Sequence, residues 1–296
     1  MNALLRMRGD KIFDFWNTVF FCILLIIIIY PLYFMLVASF SDPVAVNNGS
    51  TYFFPRGFSL QGYSQVLKNE NILTGYKNTI IYTATATVVK VALTVTAAYV
   101  LSRKDVPGKN LITFLIVFTM FFSGGLIPTY LLVKQLHLVN TMWALILPSA
   151  VSVFHLIITR TFFQTTISDD LLEASQMDGC SDWRFFFRIV LPLSLPIIAV
   201  IALFTAVQQW NSYFSALVYL QDWSKQPLQV VLRQILVQNQ VDLDMITDID
   251  AAGERMKAAE QIKYALIIFA SAPMLVLYPF LQRYFVKGMM IGSLKG

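Results

Sequence analysis

Six stretches of roughly twenty residues carry no charge or a single one, and each is long enough as a helix to cross the ~30 Å hydrocarbon core of a bilayer. They run approximately over 15–39, 78–102, 111–133, 142–163, 193–220 and 264–282. In lipid every backbone N–H and C=O needs a partner within the protein, so segments of this length and composition fold as α-helices. The composition agrees: 57% of the 296 residues are hydrophobic and 13% charged, too apolar for a soluble domain of this length. The first stretch far exceeds the about 7 to 15 apolar residues of a cleavable signal, and no small-residue cleavage site follows it, so it reads as a permanent span. The expected fold class is an all-α integral membrane protein with six transmembrane helices, organised as a single transmembrane domain over 1–296.

Basic residues flanking the spans set the expected orientation. With the N-terminus inside, twelve fall on the inner side, among them Arg6, Arg103, Lys104, Arg160 and Arg188, against nine in the longer outer segments. An even number of spans then puts both termini in the cytoplasm, and the location expected is a bacterial cytoplasmic membrane crossed several times. The net charge of +5 lies at membrane boundaries and forms no single stripe, so no nucleic-acid partner is expected. Cys22 lies inside the first span and Cys180 in an inner loop, which argues against a disulfide between them, and no metal-ligand spacing occurs.

The connecting segments carry their own signals. The first outer segment, 40–76, holds Pro43 and Pro55 with several Gly and Asn residues, and is expected to form an ordered external cap. The inner turn "RKDVPGKN" should make the second and third spans antiparallel neighbours. Inside the third span, "SGGLIP" (123–128) is read first as a seam for close helix packing and second as a kink lining a pathway. After Leu220, Pro227 stands at a first helical position and Leu228, Val231, Leu232, Ile235 and Leu236 recur at helical spacing, predicting a helix on the outer membrane face. "DAAGERMKAAEQIKYALII" should run as helix into the sixth span.

The chemistry that is missing narrows the function. No span contains Asp or Glu, which weighs against proton coupling, although sodium coupling through backbone carbonyls is unaffected. No G-x-x-x-x-G-K-[ST] loop occurs, so any ATP must be held by a partner. His137 and His155 have no nucleophile or carboxylate constellation in reach of sequence reasoning, and His155 is expected to hydrogen-bond between helices. The chain is therefore not expected to be an enzyme. Lys90, near the middle of the second span, costs about 2.5–3.5 kcal/mol to insert and so should face a partner helix or a watery cavity. It either lines a path or bonds to polar groups at a subunit interface. The fifth span ends in "QQWNSYF", where Gln208, Gln209, Trp210, Asn211 and Tyr213 combine amides with rings. That mixture suits sugar hydroxyls and C–H faces, and equally an interfacial aromatic belt.

The one long polar interruption is "SDDLLEASQMDGCSDWRFFFRIVLP", 168–192. Ser168 is a good N-cap with Asp169 and Asp170 at the positive end of the helix dipole, and Gly179 can take the left-handed conformation at a C-terminus. Ser181 or Asp182 can cap a second helix that Pro192 ends or kinks. A helix, a turn and a helix on the cytoplasmic face is the expected result.

Those residues resemble the E-A-A loop of permease subunits of ATP-binding-cassette (ABC) importers. Glu173, Ala174 and Ser175, then Asp178, Gly179 and Cys180, then Ile189, Leu191, Pro192 and Pro196 follow the form E-A-A-x-x-D-G-A and I-x-L-P, with Ser175 and Cys180 where alanine is usual. The similarity extends over nearly the whole chain, and "FTMFFSGGLIPTYLL", "WALILP" and "RTFFQ" are similar to permeases for oligosaccharides such as alginate or pectin fragments. The resemblance implies a type I ABC importer permease fold with 168–192 as coupling hairpin. Glu173, Ala174, Ser175, Asp178, Gly179, Cys180, Arg188, Leu191 and Pro192 would dock an ATPase, joined by Lys295 and Gly296 of the tail. It also implies a second homologous permease, a cytoplasmic ATPase dimer that binds ATP and magnesium, an extracytoplasmic solute-binding protein and an oligosaccharide substrate, with no cofactor in this chain. An ion-coupled carrier or a membrane scaffold without its own path are the other readings.

Overall fold

A computed structural model describes residues 8–235, 262–276 and 278. Among them all regular structure is helical. The chain divides into two compact units, Met1–Asn69 with Gln234–Ser271, and Glu70–Arg233 with Ala272–Gly296.

The first unit is carried by α1 (Arg8–Ser39). The apolar run predicted from 15 is helical already from Arg8, because helix geometry continues through the polar first turn. From Ile12 to Ile29 its large apolar side chains are mostly exposed, as contact with lipid or a second subunit requires. The segment that follows is ordered, as expected of a cap. Asp42 accepts from the Val44 amide and Pro43 starts α2 (Pro43–Asn47), while the Asp42 amide donates to the Arg56 carbonyl. Phe40 stacks on Phe58 at 5.9 Å between ring centres, and Ser39 Oγ meets the Tyr63 hydroxyl of α3 (Gln61–Lys68) at 2.8 Å.

The second unit is built on α4 (Glu70–Ser102), which packs along α8 (Val153–Thr166) and α12 (Leu195–Trp210). It starts eight residues before the predicted span, because the polar turn "ENILTGYK" is clamped against the 223–231 segment. Asn78 Nδ2 donates to the Ser224 and Gln226 carbonyls at 2.8 and 3.1 Å, the Tyr82 hydroxyl donates to the Lys225 carbonyl at 2.9 Å, and Thr79 Oγ1 accepts from the Leu228 amide at 2.8 Å. Gly75 permits this approach: a Cβ there would stand 3.2 Å from the Leu228 backbone and 3.1 Å from Val231 Cγ2. The helix predicted after Pro227 is present over 228–235, with Leu228, Val231 and Leu232 buried. Leu236, the "DAAGERMKAAEQ" segment and the tail with Lys295 and Gly296 lie outside the described residues.

Three of the six predicted spans are broken helices. The third is α5 (Lys109–Phe121) and α6 (Leu126–Gln135), bent by 116° at the glycines. The bend is the kink of the two readings: among the described residues a Cβ on Gly125 would meet nothing within 4 Å and a Cβ on Gly124 only Pro128, and Gly125 has φ +87°, a turn conformation that glycine adopts without strain. The fourth is Trp143–Ser149, holding α7 (Trp143–Ile146) and a 3₁₀ turn, followed by α8, with a 54° bend. The fifth, expected as 193–220, is α12, a break at 211–213, and α13 (Phe214–Tyr219). The sixth is described over Ile262–Val276.

Candidate functional site

The polar interruption folds as its residues predict. Ser168 Oγ accepts from the Leu171 amide and opens α9 (Asp169–Met177). Asp178 and Gly179 close it, the latter with φ +71°. Ser181, of the two cap candidates, is the one that acts: its Oγ accepts from the Arg184 amide and starts α10 (Asp182–Phe185). The helix then widens to a π-turn over Phe186–Val190 before α11 (Leu191–Leu193) and bends 76° into α12. Pro192 has no N–H to return to the Arg188 carbonyl and its ring crowds that turn, which accounts for the widening.

One face of this hairpin is buried and the other open. Phe185, Phe186 and Val190 pack with Val95, Ala98 and Tyr99 of α4 and Phe163 of α8. Ser175 is buried and bonds back to the Leu172 carbonyl at 2.7 Å, while Cys180 and Leu191 are half-buried. Glu173, Ala174, Asp178, Gly179, Arg188 and Pro192 are exposed, and Met177 between them is 90% exposed. A helix that shows glutamate, alanine, glycine and a bare methionine on one side has the composition of a docking face.

Sequence reasoning missed the clamp that holds the hairpin, whose residues were visible as "RKD" in the turn after α4. Arg103 grips Asp105 through Nε at 2.8 Å and Nη2 at 2.6 Å, and reaches Asp182 with Nη1 at 2.7 Å. Lys104 pairs with Asp169, and Arg160 Nε donates to the Leu101 carbonyl at 3.0 Å. The hydrogen bond from Arg103 is the chief reason the Asp105 carboxyl is held below its ordinary value of 3.8. The contribution of this pair is therefore present above pH 3.8 and disappears only as acid carries Asp105 through its lowered pKa. Arg103→Met is expected to loosen the hairpin's attachment by about 1–1.5 kcal/mol, the scale of the single charge-assisted bond that Arg103 makes to the partly exposed Asp182. Hydrogen exchange of the 169–193 amides would then quicken by about tenfold at neutral pH, and unchanged exchange would remove the clamp from this role.

A second polar group lies within the helices. Lys90 is 8% exposed, and its Nζ donates to Ser149 Oγ at 2.8 Å and to Gln209 Oε1 at 3.3 Å. Ser149 was missed; its signal was the proline before it, which marks a helix end. Of the amides and rings predicted together, Gln209 and Trp210 are buried, Trp210 standing edge-on to Tyr76 at 5.7 Å, whereas Gln208, Asn211 and Tyr213 are exposed on other sides of the helix end. The structure therefore joins Lys90 to Gln209 and leaves the remaining candidates apart. His155 contacts the neighbouring helix by stacking on Phe204 of α12 at 5.9 Å.

A helical bundle with an exposed, capped hairpin anchored to its central helix is the architecture of a transport permease. The family described as binding-protein-dependent transport system inner membrane component matches residues 1–291, and the chain belongs to it. It is 42% identical over 289 residues to Protein LplC of Bacillus subtilis, covering 98% of this chain and 97% of that one. It is also 42% identical to the polygalacturonan/rhamnogalacturonan transport system permease protein YtcP of the same organism, covering 97% and 99%. Among solved structures it superposes, with a TM-score of 0.86, 32% identity and 95% and 99% coverage, on a chain from a bacterial ABC transporter involved in the import of the acidic polysaccharide alginate. The chain is thus an ABC importer permease, an inner membrane component.

Proposed function

We propose that this chain is the membrane-spanning subunit of an ATP-driven importer that passes an oligosaccharide from an external solute-binding protein to the cytoplasm. The hairpin carries the reading: an exposed α9 face is joined through the Arg103 clamp and the aromatic cluster around Phe186 to α4 and to α12. Such a unit moves as a rigid lever, so closure of an ATPase dimer against Glu173 and Gly179 is transmitted to the helices without chemistry in this subunit. ATP and magnesium belong to that dimer. A second permease completes the membrane part and covers apolar surface such as that of α5, none of whose residues is buried. Both termini are cytoplasmic, and Lys295 and Gly296 extend the contact with the ATPase. The oligosaccharide reading is supported by two relatives, one named a polygalacturonan/rhamnogalacturonan transport system permease and one from a transporter involved in the import of alginate.

The test is uptake of labelled oligogalacturonate by liposomes holding the complete complex. ATP-dependent accumulation that requires both the ATPase and the binding protein is expected. Uptake driven by an ion gradient without ATP would make the chain a carrier, and no uptake with every partner present would leave it a scaffold.

A further inference from the structure

Among the described residues no carboxylate pairs with the buried ammonium of Lys90. Between Glu70 and Asp222 the only carboxylates are Asp105 and those of 169–182, which lie at the hairpin end of α4. The two atoms that accept from Lys90, Ser149 Oγ and Gln209 Oε1, are neutral. An ammonium has three N–H donors, and among the described residues nothing accepts the third. Burying a charge without an opposite one is costly, so the arrangement points to an anion supplied from outside the chain.

The surroundings favour a ligand that passes through. Ser149 ends the 3₁₀ turn at the 54° break before α8, and Gln209 lies one residue before the end of α12. Irregular backbone at membrane depth is tolerated where it lines a cavity, and ends of broken helices commonly meet the transported solute. Thr87 and Thr83, one and two turns from Lys90 along α4, have buried hydroxyls with no hydrogen-bond partner among the described residues. Unpaired hydroxyls on the same helix as the ammonium match the groups of a uronic acid, which presents sugar hydroxyls and a carboxylate together.

We infer that Lys90, oriented by Ser149 and Gln209, forms a carboxylate-binding position in the translocation path that selects acidic, uronate-bearing oligosaccharides over neutral ones. The inference rests on the oligosaccharide reading above and sharpens its substrate class. In the reconstituted complex, uptake of tri-galacturonate is compared with uptake of its fully methyl-esterified form, whose carboxyls are neutral. Lys90→Met is expected to lower the acid-to-ester uptake ratio by about tenfold, the scale of one hydrogen bond to a charged group. Lys90→Arg, which keeps the charge, is expected to preserve most of the ratio, and Gln209→Leu to reduce it less than Lys90→Met does. Should Lys90→Met fail to assemble, the Lys90→Arg and Gln209→Leu ratios decide. Uptake of both probes in an unaltered ratio would overturn the carboxylate position alone. An equal loss of both would overturn it in favour of a counter-charge from the second permease. No uptake of either probe by the wild-type complex would overturn the oligosaccharide reading itself.

Discussion

Glu173→Lys is expected to reduce substrate-stimulated ATP hydrolysis by the complete complex by at least about tenfold, while the chain still inserts and pairs with its partner permease. Glu173 is exposed in the middle of α9 and, among the described residues, makes no side-chain hydrogen bond or ion pair, so reversing its charge should leave the fold intact. Under the proposed function it would alter the match with a basic group on a partner ATPase, where placing like charges together costs several kcal/mol. Gly179 gives a graded control. Its φ of +71° disfavours any side chain, but a Cβ would meet nothing within 4 Å in this chain. Gly179→Ala should therefore cost only the left-handed strain of about 1–2 kcal/mol, whereas Gly179→Trp adds bulk to the surface that must dock. If the alanine and tryptophan variants couple equally well, or Glu173→Lys hydrolyses ATP with normal dependence on sugar-loaded binding protein, α9 is not the coupling surface.

Trp210→Ala is expected to destabilise the protein by about 3–5 kcal/mol, the cost of emptying a large aromatic site. Trp210 is 4% exposed and its ring stands edge-on to Tyr76, so it ties the end of α12 to the first turns of α4. Seen from sequence, Trp210 and Asn211 belong to one group of amides and rings that suits either a sugar or an interfacial aromatic belt. Burial separates them. Asn211 is exposed and, among the described residues, its Nδ2 donates only to the Val207 carbonyl, at 2.9 Å, so Asn211→Ala should change stability by less than about 1 kcal/mol. Thermal unfolding of the purified chain in detergent should show a lowered midpoint for Trp210→Ala, a nearly normal one for Trp210→Phe, and no change for Asn211→Ala. An unchanged midpoint for Trp210→Ala would contradict its structural role. Uptake by Asn211→Ala, free of any folding defect, then reports whether the exposed amide touches the sugar.

The α9 hairpin was legible residue by residue because its signals are local. Ser168 and Ser181 bond to amides three residues away, and Gly179 takes the one backbone conformation that other residues avoid. Apolar length likewise marks α1, α4 and the broken helices of the third, fourth and fifth stretches, the sixth being described only over Ile262–Val276, since hydrophobic run length depends on no distant residue. The breaks were less legible. "SGGLIP" reads first as a packing seam, whereas the chain bends by 116° there and a Cβ on Gly125 would meet nothing within 4 Å among the described residues.

Sequence alone determined the solvent, the helical class and the hairpin with its caps, because a bilayer imposes helices on apolar segments and capping bonds span three or four residues. Tertiary structure decided what those elements do together. It placed Ser149 and Gln209, 59 and 119 residues away in sequence, on the Lys90 ammonium, and it set Arg103 across the hairpin to Asp182, 79 residues on. It also turned Trp210 inward and Asn211 outward at adjacent positions. Such pairings depend on how α4, α8 and α12 rotate against one another, and that rotation is fixed by side-chain packing across the bundle, which no local pattern records.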